Sequence, residues 1–284
     1  MFVVTGATGN VGSTVVRELL AAGAPVTAVV RNEAKAEPLQ KLGAKIAVAD
    51  LEDSVALAKI MIGAKGAFLM TPPESRSDDY LGDRRKVAES LTRAAWEGRV
   101  GVSVYLSTVG AQWPSGTGPI QTGYVAEQMM RDRLDNAIFL RPCYFLDNWL
   151  QSVPVAREQG VLPGFLRSGV AIPMIATPDI GAAAAEALLG GTKGVEVRDL
   201  AGPKDYAPEE IAEAIGAALG REVKYHFLPI ETAKSTFESF GLTPSFAALY
   251  QEMFEAADAG KLVYEGTPRR MPTTAREFFA QALS

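Results

Sequence analysis

One cysteine and one histidine in 284 residues leave little room for metal or disulfide chemistry. Cys143 has no internal partner, and together with His226 it falls short of the ligand set that a Cys/His metal site needs, so no metal is expected. The chain also lacks a Lys/Arg block, and its formal net charge is −5, which sets long-range electrostatics against a nucleic-acid partner. No apolar run approaches the roughly 20 residues that cross a bilayer, which argues against a membrane partner. The opening MFVVTGATG enters a strand with no charged leader, so the expectation is a cytoplasmic protein. Internal repeats and low-complexity segments are lacking too, leaving an ordinary soluble globular chain.

What is present is apolar: 48% of the residues, ample for a buried core. Up to about residue 140, β-branched runs alternate with helical patterns: FVVT, VTAVV at 26–30, KIAVA at 45–49, GAFLM at 66–70, VSVYL at 102–106 and AIFL at 137–140. Such alternation predicts an α/β fold with a doubly wound parallel sheet. Val11, Val15 and Leu19, then Val87, Leu91 and Ala94, then Val125 and Met129 recur at helical spacing and would lay crossover helices on it. The strands are continuously apolar, as when helices cover both faces. Beyond about residue 150, proline- and glycine-punctuated segments replace the alternation, and their helices look independent of the sheet. We therefore expect a nucleotide-binding domain over 1–150 and a smaller, interleaved α+β substrate-side lobe over 151–284. Within the lobe, Thr177-Pro178 offers an N-cap and a first-turn proline, Pro208 starts a helix bearing Ile211, Ile215 and Leu219, and Thr274-x-x-Glu277 is a capping box. Phe246, Leu249, Tyr250, Met253 and Phe254 form an aromatic stripe read as core packing.

The most informative motif is Thr5-Gly6-Ala7-Thr8-Gly9-Asn10-Val11-Gly12, lying between the first strand and the first helix. Glycines there allow a tight turn, close approach of backbone to a pyrophosphate and close helix–strand packing, while the helix N-terminus supplies free N–H donors. This is the fingerprint of a Rossmann dinucleotide site. Where a site for NAD(H) usually carries an acidic residue after the second strand, this chain has Arg31-Asn32. A guanidinium suits a 2′-phosphate, so Arg31, with help from Lys35, points to NADP(H) over NAD(H), the alternative being a solvated loop arginine. Asp50-Leu51 follows the third strand, where a side chain reaches the adenine edge and an apolar neighbour covers the ring. Thr71-Pro72-Pro73 would either shape the floor beside the nicotinamide ribose or simply end the fourth strand.

TGATGNVG, VVRNEAKA, Asp50-Leu51, LSTVGA at 106–111 and LRPCYFLDN at 140–148 together resemble the NmrA-like family of atypical short-chain dehydrogenases/reductases, closest in appearance to its NADPH-dependent quinone oxidoreductase and triphenylmethane reductase members. The resemblance spans almost the whole chain. It implies that Gly6, Thr8, Gly9, Asn10, Val11 and Gly12 hold the pyrophosphate and Arg31 the 2′-phosphate. It also implies that Thr71, Ser107 and the segment Pro142, Cys143, Tyr144 and Phe145 surround the nicotinamide end.

Typical short-chain dehydrogenases use a tyrosine with a lysine four residues later, and no Tyr-x-x-x-Lys pair exists here. Reducing a ketone leaves an alkoxide that wants a positioned acid, so carbonyl reduction is disfavoured. A quinone gives a stabilised phenolate, and a cationic dye is simply neutralised, so binding and orientation suffice. The expected function is hydride transfer from NADPH to a quinone-like or other planar or cationic small-molecule electrophile. Ser107 is a candidate catalytic contact to a substrate oxygen or a capping serine, and Tyr124 a candidate proton donor or a surface tyrosine. Cys143 reads as an inert small hydrophobe, His226 as a structural or surface residue, and Phe145, Trp149 and Phe165 as either a flat aromatic pocket or core. The alternative function is a non-catalytic NADP(H) redox sensor acting through a protein partner, and an isomerase or epimerase is weaker because it normally needs the missing tyrosine. The sequence leaves a homodimer open.

Overall fold

The computed structural model describes residues 1–74 and 76–284. The nucleotide-binding half runs β1 (Phe2–Val4), α1 (Asn10–Ala21), β2 (Val26–Val30), α2 (Glu37–Lys41), β3 (Lys45–Val48), α3 (Ser54–Met61), β4 (Gly66–Leu69), α4 (Tyr80–Glu97), β5 (Ser103–Leu106), α5 (Gln121–Arg133) and β6 (Ala137–Pro142). It continues through β7 (Tyr144–Phe145), α6 (Val153–Gln159), β8 (Val161–Gly164), β9 (Ile172–Ile175), α7 (Thr177–Gly190), β10 (Val195–Ala201), β11 (Asp205–Tyr206) and α8 (Pro208–Leu219). The last elements are β12 (Lys224–Phe227), α9 (Ala233–Ser239), α10 (Pro244–Asp258), β13 (Arg269–Arg270) and α11 (Ala275–Ala282).

Eight strands form one all-parallel sheet in the order β13-β10-β6-β5-β4-β1-β2-β3. The expected doubly wound architecture is present. The chain lays down β1, β2 and β3 in one direction, then returns to place β4 on the other side of β1. This reversal opens a crevice at the carboxyl ends of β1 and β4, the place where open parallel sheets bind ligands. One face of the sheet is covered by α1 and α7 over Val4, Val15, Leu19, Phe68 and Ile180; the other by α3, α4 and α5 over Val3, Leu57, Leu91, Tyr105 and Met130. A third core, around Leu146, Trp149, Phe165, Ile211, Phe254 and Phe279, belongs to the lobe built from the small sheets β11-β9-β7 and β12-β8.

Local rules account for many element boundaries. Asp53 and Asp79 cap α3 and α4 through hydrogen bonds from Ala56 and Gly82 N–H, and Thr274 and Glu277 form the expected capping box at α11. Four expectations change. On α5 the residues buried against the sheet are Ala126 and Met130, one position on from Val125 and Met129, because the helix also turns Glu127 inward. β3 is half-exposed, since it is the sheet edge and has a strand on one side only. Helix α7 and strand β10 lie beyond residue 150 but join the main sheet layer, α7 packing along α1 and β10 pairing with β6. Thr177 is the first residue of α7 rather than its cap, and its hydroxyl serves Asp147 instead, a charged acceptor being the stronger partner.

Candidate functional site

Between β1 and α1 the chain reverses over Thr5–Gly9. Gly6 adopts φ +59°, and a Cβ there would meet Met70 Sδ at 2.7 Å. A Cβ at Gly12 would run into the Gly6 carbonyl oxygen, a backbone atom that cannot step aside. Gly9 differs: an added Cβ would meet only that same oxygen, at 3.3 Å, so on its other side the backbone is open. The Gly9 N–H closes the turn on Gly6 O at 3.0 Å, and the Thr5 hydroxyl donates to Phe68 O (3.0 Å) and accepts from Met70 N–H (3.2 Å), stitching β1 to β4 beneath the crevice. No side chain caps α1, and no acidic residue lies in its first turn. The loop therefore offers unprotected N–H groups and the positive end of a helix to an anion.

Above the loop lies a cleft of about 260 Å³. Gly6, Thr8 and Gly9 form its base, Val29, Val30 and Arg31 come from the end of β2, Ala49 and Leu51 from the end of β3, and Met70, Pro72 and Pro73 follow β4. Of the sequence candidates, Gly6, Thr8, Gly9, Arg31, Leu51 and Pro72 thus line one cleft. Arg31 is exposed at the rim, and none of the ion pairs among the described residues involves it. Lys35 sits on a short turn that Asn32 Oδ1 initiates by accepting the Ala34 N–H (2.9 Å); it is exposed and does not line the cleft. Asp50 is also exposed, its Oδ1 accepting the Glu52 N–H (2.9 Å), and this local turn presents Leu51 to the cleft. Val11 and Gly12 lie behind the loop, buried in α1. Asn10 reaches sideways: its Nδ2 donates to Asp147 Oδ1 at 2.9 Å. That carboxylate also accepts the Thr177 hydroxyl (2.8 Å) and N–H (3.3 Å), so the start of α1, the segment after β7 and the start of α7 meet at Asp147.

The remaining candidates stand at the ends of β4, β5 and β6, beyond that cleft. Thr71 pairs with the buried Tyr105 hydroxyl at 3.1 Å. Ser107, buried just after β5, donates its proton to Glu127 Oε1 at 2.5 Å, so toward a ligand it has lone pairs to offer. Glu127, only 1% exposed, is gripped by Arg141 through Nε (2.8 Å) and Nη2 (2.7 Å), while Arg141 Nη1 reaches Glu265. Tyr124 is half-buried, and no described side chain engages its hydroxyl; its neighbour Gly123 lets α5 approach Ser107, where an added Cβ would lie 3.3 Å from Oγ. Pro142 ends β6, and the next residues alternate: Tyr144 turns to Trp149 in the lobe core, with ring centroids 6.0 Å apart, while Phe145 packs on the main core. Burial raises the Tyr144 phenol above its ordinary range and pushes the Cys143 thiol up to about 11. Trp149 and Phe165 are core residues, and His226 is exposed on β12.

Asp147, Glu127 and Arg141 were not among the sequence candidates. A charged residue inside the apolar run AIFLRP was the available signal for Arg141; nothing in local spacing marks Asp147.

A model of the NmrA-like family matches residues 1–264. NAD(P)H azoreductase of Xenophilus azovorans is 30% identical, covering 99% of this chain and 97% of its own. Quinone oxidoreductase 2 of Escherichia coli (strain K12) is 28% identical, covering 92% and 90%. Among solved structures, the NADPH-dependent quinone oxidoreductase of Escherichia coli complexed with NADPH superposes with a TM-score of 0.82 at 26% identity, over 100% of both chains. Citrobacter sp. triphenylmethane reductase complexed with NADP(H) shares the fold, with a TM-score of 0.81 at 20% identity over 99% and 100%.

Proposed function

The chain belongs to the NmrA-like family, and from that premise we propose that it is an NADPH-dependent oxidoreductase that reduces a quinone-like or other planar or cationic small-molecule electrophile. The observation that carries this reading is the cradle itself: Gly6 at positive φ, Gly12 with no room for a Cβ, Gly9 whose backbone faces the cleft, an uncapped helix N-terminus, and at the far rim a guanidinium that joins none of the ion pairs among the described residues. A diphosphate fits the first three features and a 2′-phosphate the fourth.

In this reading the N–H groups of the Gly6–Gly12 turn hold the pyrophosphate, with Thr8, Asn10 and Val11 contributing backbone, and Arg31 takes the 2′-phosphate with Lys35 nearby. Leu51 covers the adenine, with Asp50 at its edge. Thr71, Pro72, Ser107, Pro142, Tyr144 and Phe145 surround the nicotinamide. Bound NADPH supplies the hydride. The chain positions it at the carboxyl end of the sheet and, through the lobe built on the small sheets β11-β9-β7 and β12-β8, covers the acceptor. Ser107 offers lone pairs to a donor such as a carboxamide, and Tyr124 is the side-chain hydroxyl we propose for returning a proton to the product. A sensor would use the same cradle, but the relatives matched over nine-tenths of this chain are named an azoreductase and a quinone oxidoreductase, which favours the enzyme. We place the activity in the cytoplasm; among the described residues no helix is long and apolar enough to cross a membrane.

The test is the loss of reduced-nicotinamide absorbance with NADPH, purified protein and a panel of quinones, azo dyes and cationic dyes, with NADH in parallel. Protein-dependent oxidation of NADPH faster than NADH is expected. Binding of NADPH without turnover on any acceptor would overturn the assignment.

A further inference from the structure

Arg84, in the first turns of α4, is only 7% exposed, yet among the described residues it joins no ion pair and no aromatic ring stacks beneath it. Among the described residues it makes one hydrogen bond, from Nη1 to the Pro72 carbonyl at 2.8 Å, and its buried Nε–H meets no acceptor. The adjacent carboxylate, Asp83, is committed to the Ser77 hydroxyl (2.7 Å) and to Lys86 (2.9 Å). A guanidinium buried in this way calls for an anion. The other deeply buried arginine, Arg141, obeys that rule, with two bonds to Glu127 and a third to Glu265. Arg84 departs from it at a telling place. Pro72, the residue it holds, lines the cofactor cleft, and Thr71 beside it marks the end toward which the nicotinamide would point.

We propose that Arg84 is a substrate-recognising residue whose free guanidinium edge takes an anionic oxygen presented by the bound electron acceptor against the Pro72 wall. The inference rests on the reductase reading above. Two sources of that oxygen share the chemistry. One is an ionised substituent on the acceptor, a sulfonate or carboxylate. The other is the phenolate oxygen left on a quinone once it has accepted a hydride, two electrons and one proton, from the nicotinamide, before the second proton arrives. Either would pair with the guanidinium in a water-poor crevice, where a charged hydrogen bond is strongest.

Matched acceptors separate the sources: a naphthoquinone and the sulfonated derivative of the same ring, assayed with wild type, Arg84→Gln and Arg84→Lys. For the substituent, Arg84→Gln is expected to raise KM for the sulfonate by about tenfold to a hundredfold while leaving the neutral quinone unchanged, with Arg84→Lys retaining part of the preference. For the phenolate, kcat falls on both acceptors and KM holds. Unchanged constants on both acceptors would overturn the proposal, as would losses in both that follow the loss of folded protein in a thermal melt, for glutamine and lysine alike. Calorimetric binding of the naphthoquinone sulfonate to NADP-loaded protein needs no turnover. If wild type binds it and Arg84→Gln does not, yet no acceptor is reduced, the reductase reading fails and Arg84 stands.

Discussion

We propose that Arg31 carries coenzyme choice: it is an exposed charge at the cleft that takes part in none of the ion pairs among the described residues. Replacing it with alanine is expected to weaken NADPH binding by about 1.5–3 kcal/mol, the scale of a hydrogen bond to a charged group, and to leave NADH untouched. Steady-state KM values for both coenzymes check this; an unchanged ratio would remove Arg31 from the site. Cys143 is the opposite case, a group silenced by burial. Desolvation penalises its thiolate and pushes the thiol up to about 11, so the native protein should resist alkylation at pH 8 and react fully in denaturant. The sign for stability follows. The folded state favours the neutral thiol, so this contribution is intact below the unfolded thiol value, about 8.5, and is lost as the pH climbs from there through about 11. Rapid alkylation of the folded protein would show the thiol to be reachable and reactive.

At the scale of elements, the cradle depends on how α1 is anchored. Asn10, Asp147 and Thr177 tie its first turn to the segment after β7 and to α7, and α7 can run along α1 because Gly181 has no side chain: a Cβ there would lie 2.5 Å from Thr14 Cβ. Asp147→Ala leaves the Thr177 donors and the Asn10 amide without their acceptor. It should destabilise the fold by about 1–3 kcal/mol and raise KM for NADPH severalfold with little change in kcat. Asn10→Ala should give the same KM shift, and the double variant little more, because both cut one connection. Additive shifts would mean that Asn10 touches the cofactor independently of Asp147. Gly12→Ala is expected to abolish coenzyme binding, since the new methyl would displace the Gly6 carbonyl at the centre of the turn; fluorescence titration with NADPH reads this directly.

Over the whole molecule, the chain closes on itself through charge as well as through its apolar cores. Arg141 on β6 is paired with Glu127 on α5 and with Glu265, just ahead of β13, so the network joins the nucleotide-binding half to the end of the chain. Glu127→Ala strands that guanidinium and frees the Ser107 proton. A loss of about 3–5 kcal/mol is expected from denaturant melts, with a lowered Tm; a loss under about 1 kcal/mol would show that Glu265 alone satisfies Arg141. The sequence by itself determined the parallel α/β class, the glycine turn, the position of Arg31 and the capping box at Thr274, because each depends on residues within a turn or two of one another, where steric and hydrogen-bonding rules act locally. Only the tertiary structure decided that Asn10 bonds a carboxylate 137 residues away, that Ser107 gives its proton to Glu127, that α7 and β10 return to the main sheet, and that Arg84 lies buried outside every ion pair among the described residues. Whether a buried charge or a hydroxyl is satisfied depends on which strands and helices become neighbours. Strand order, set when β4 crosses back past β1, fixes those neighbours across distances that no local pattern spans.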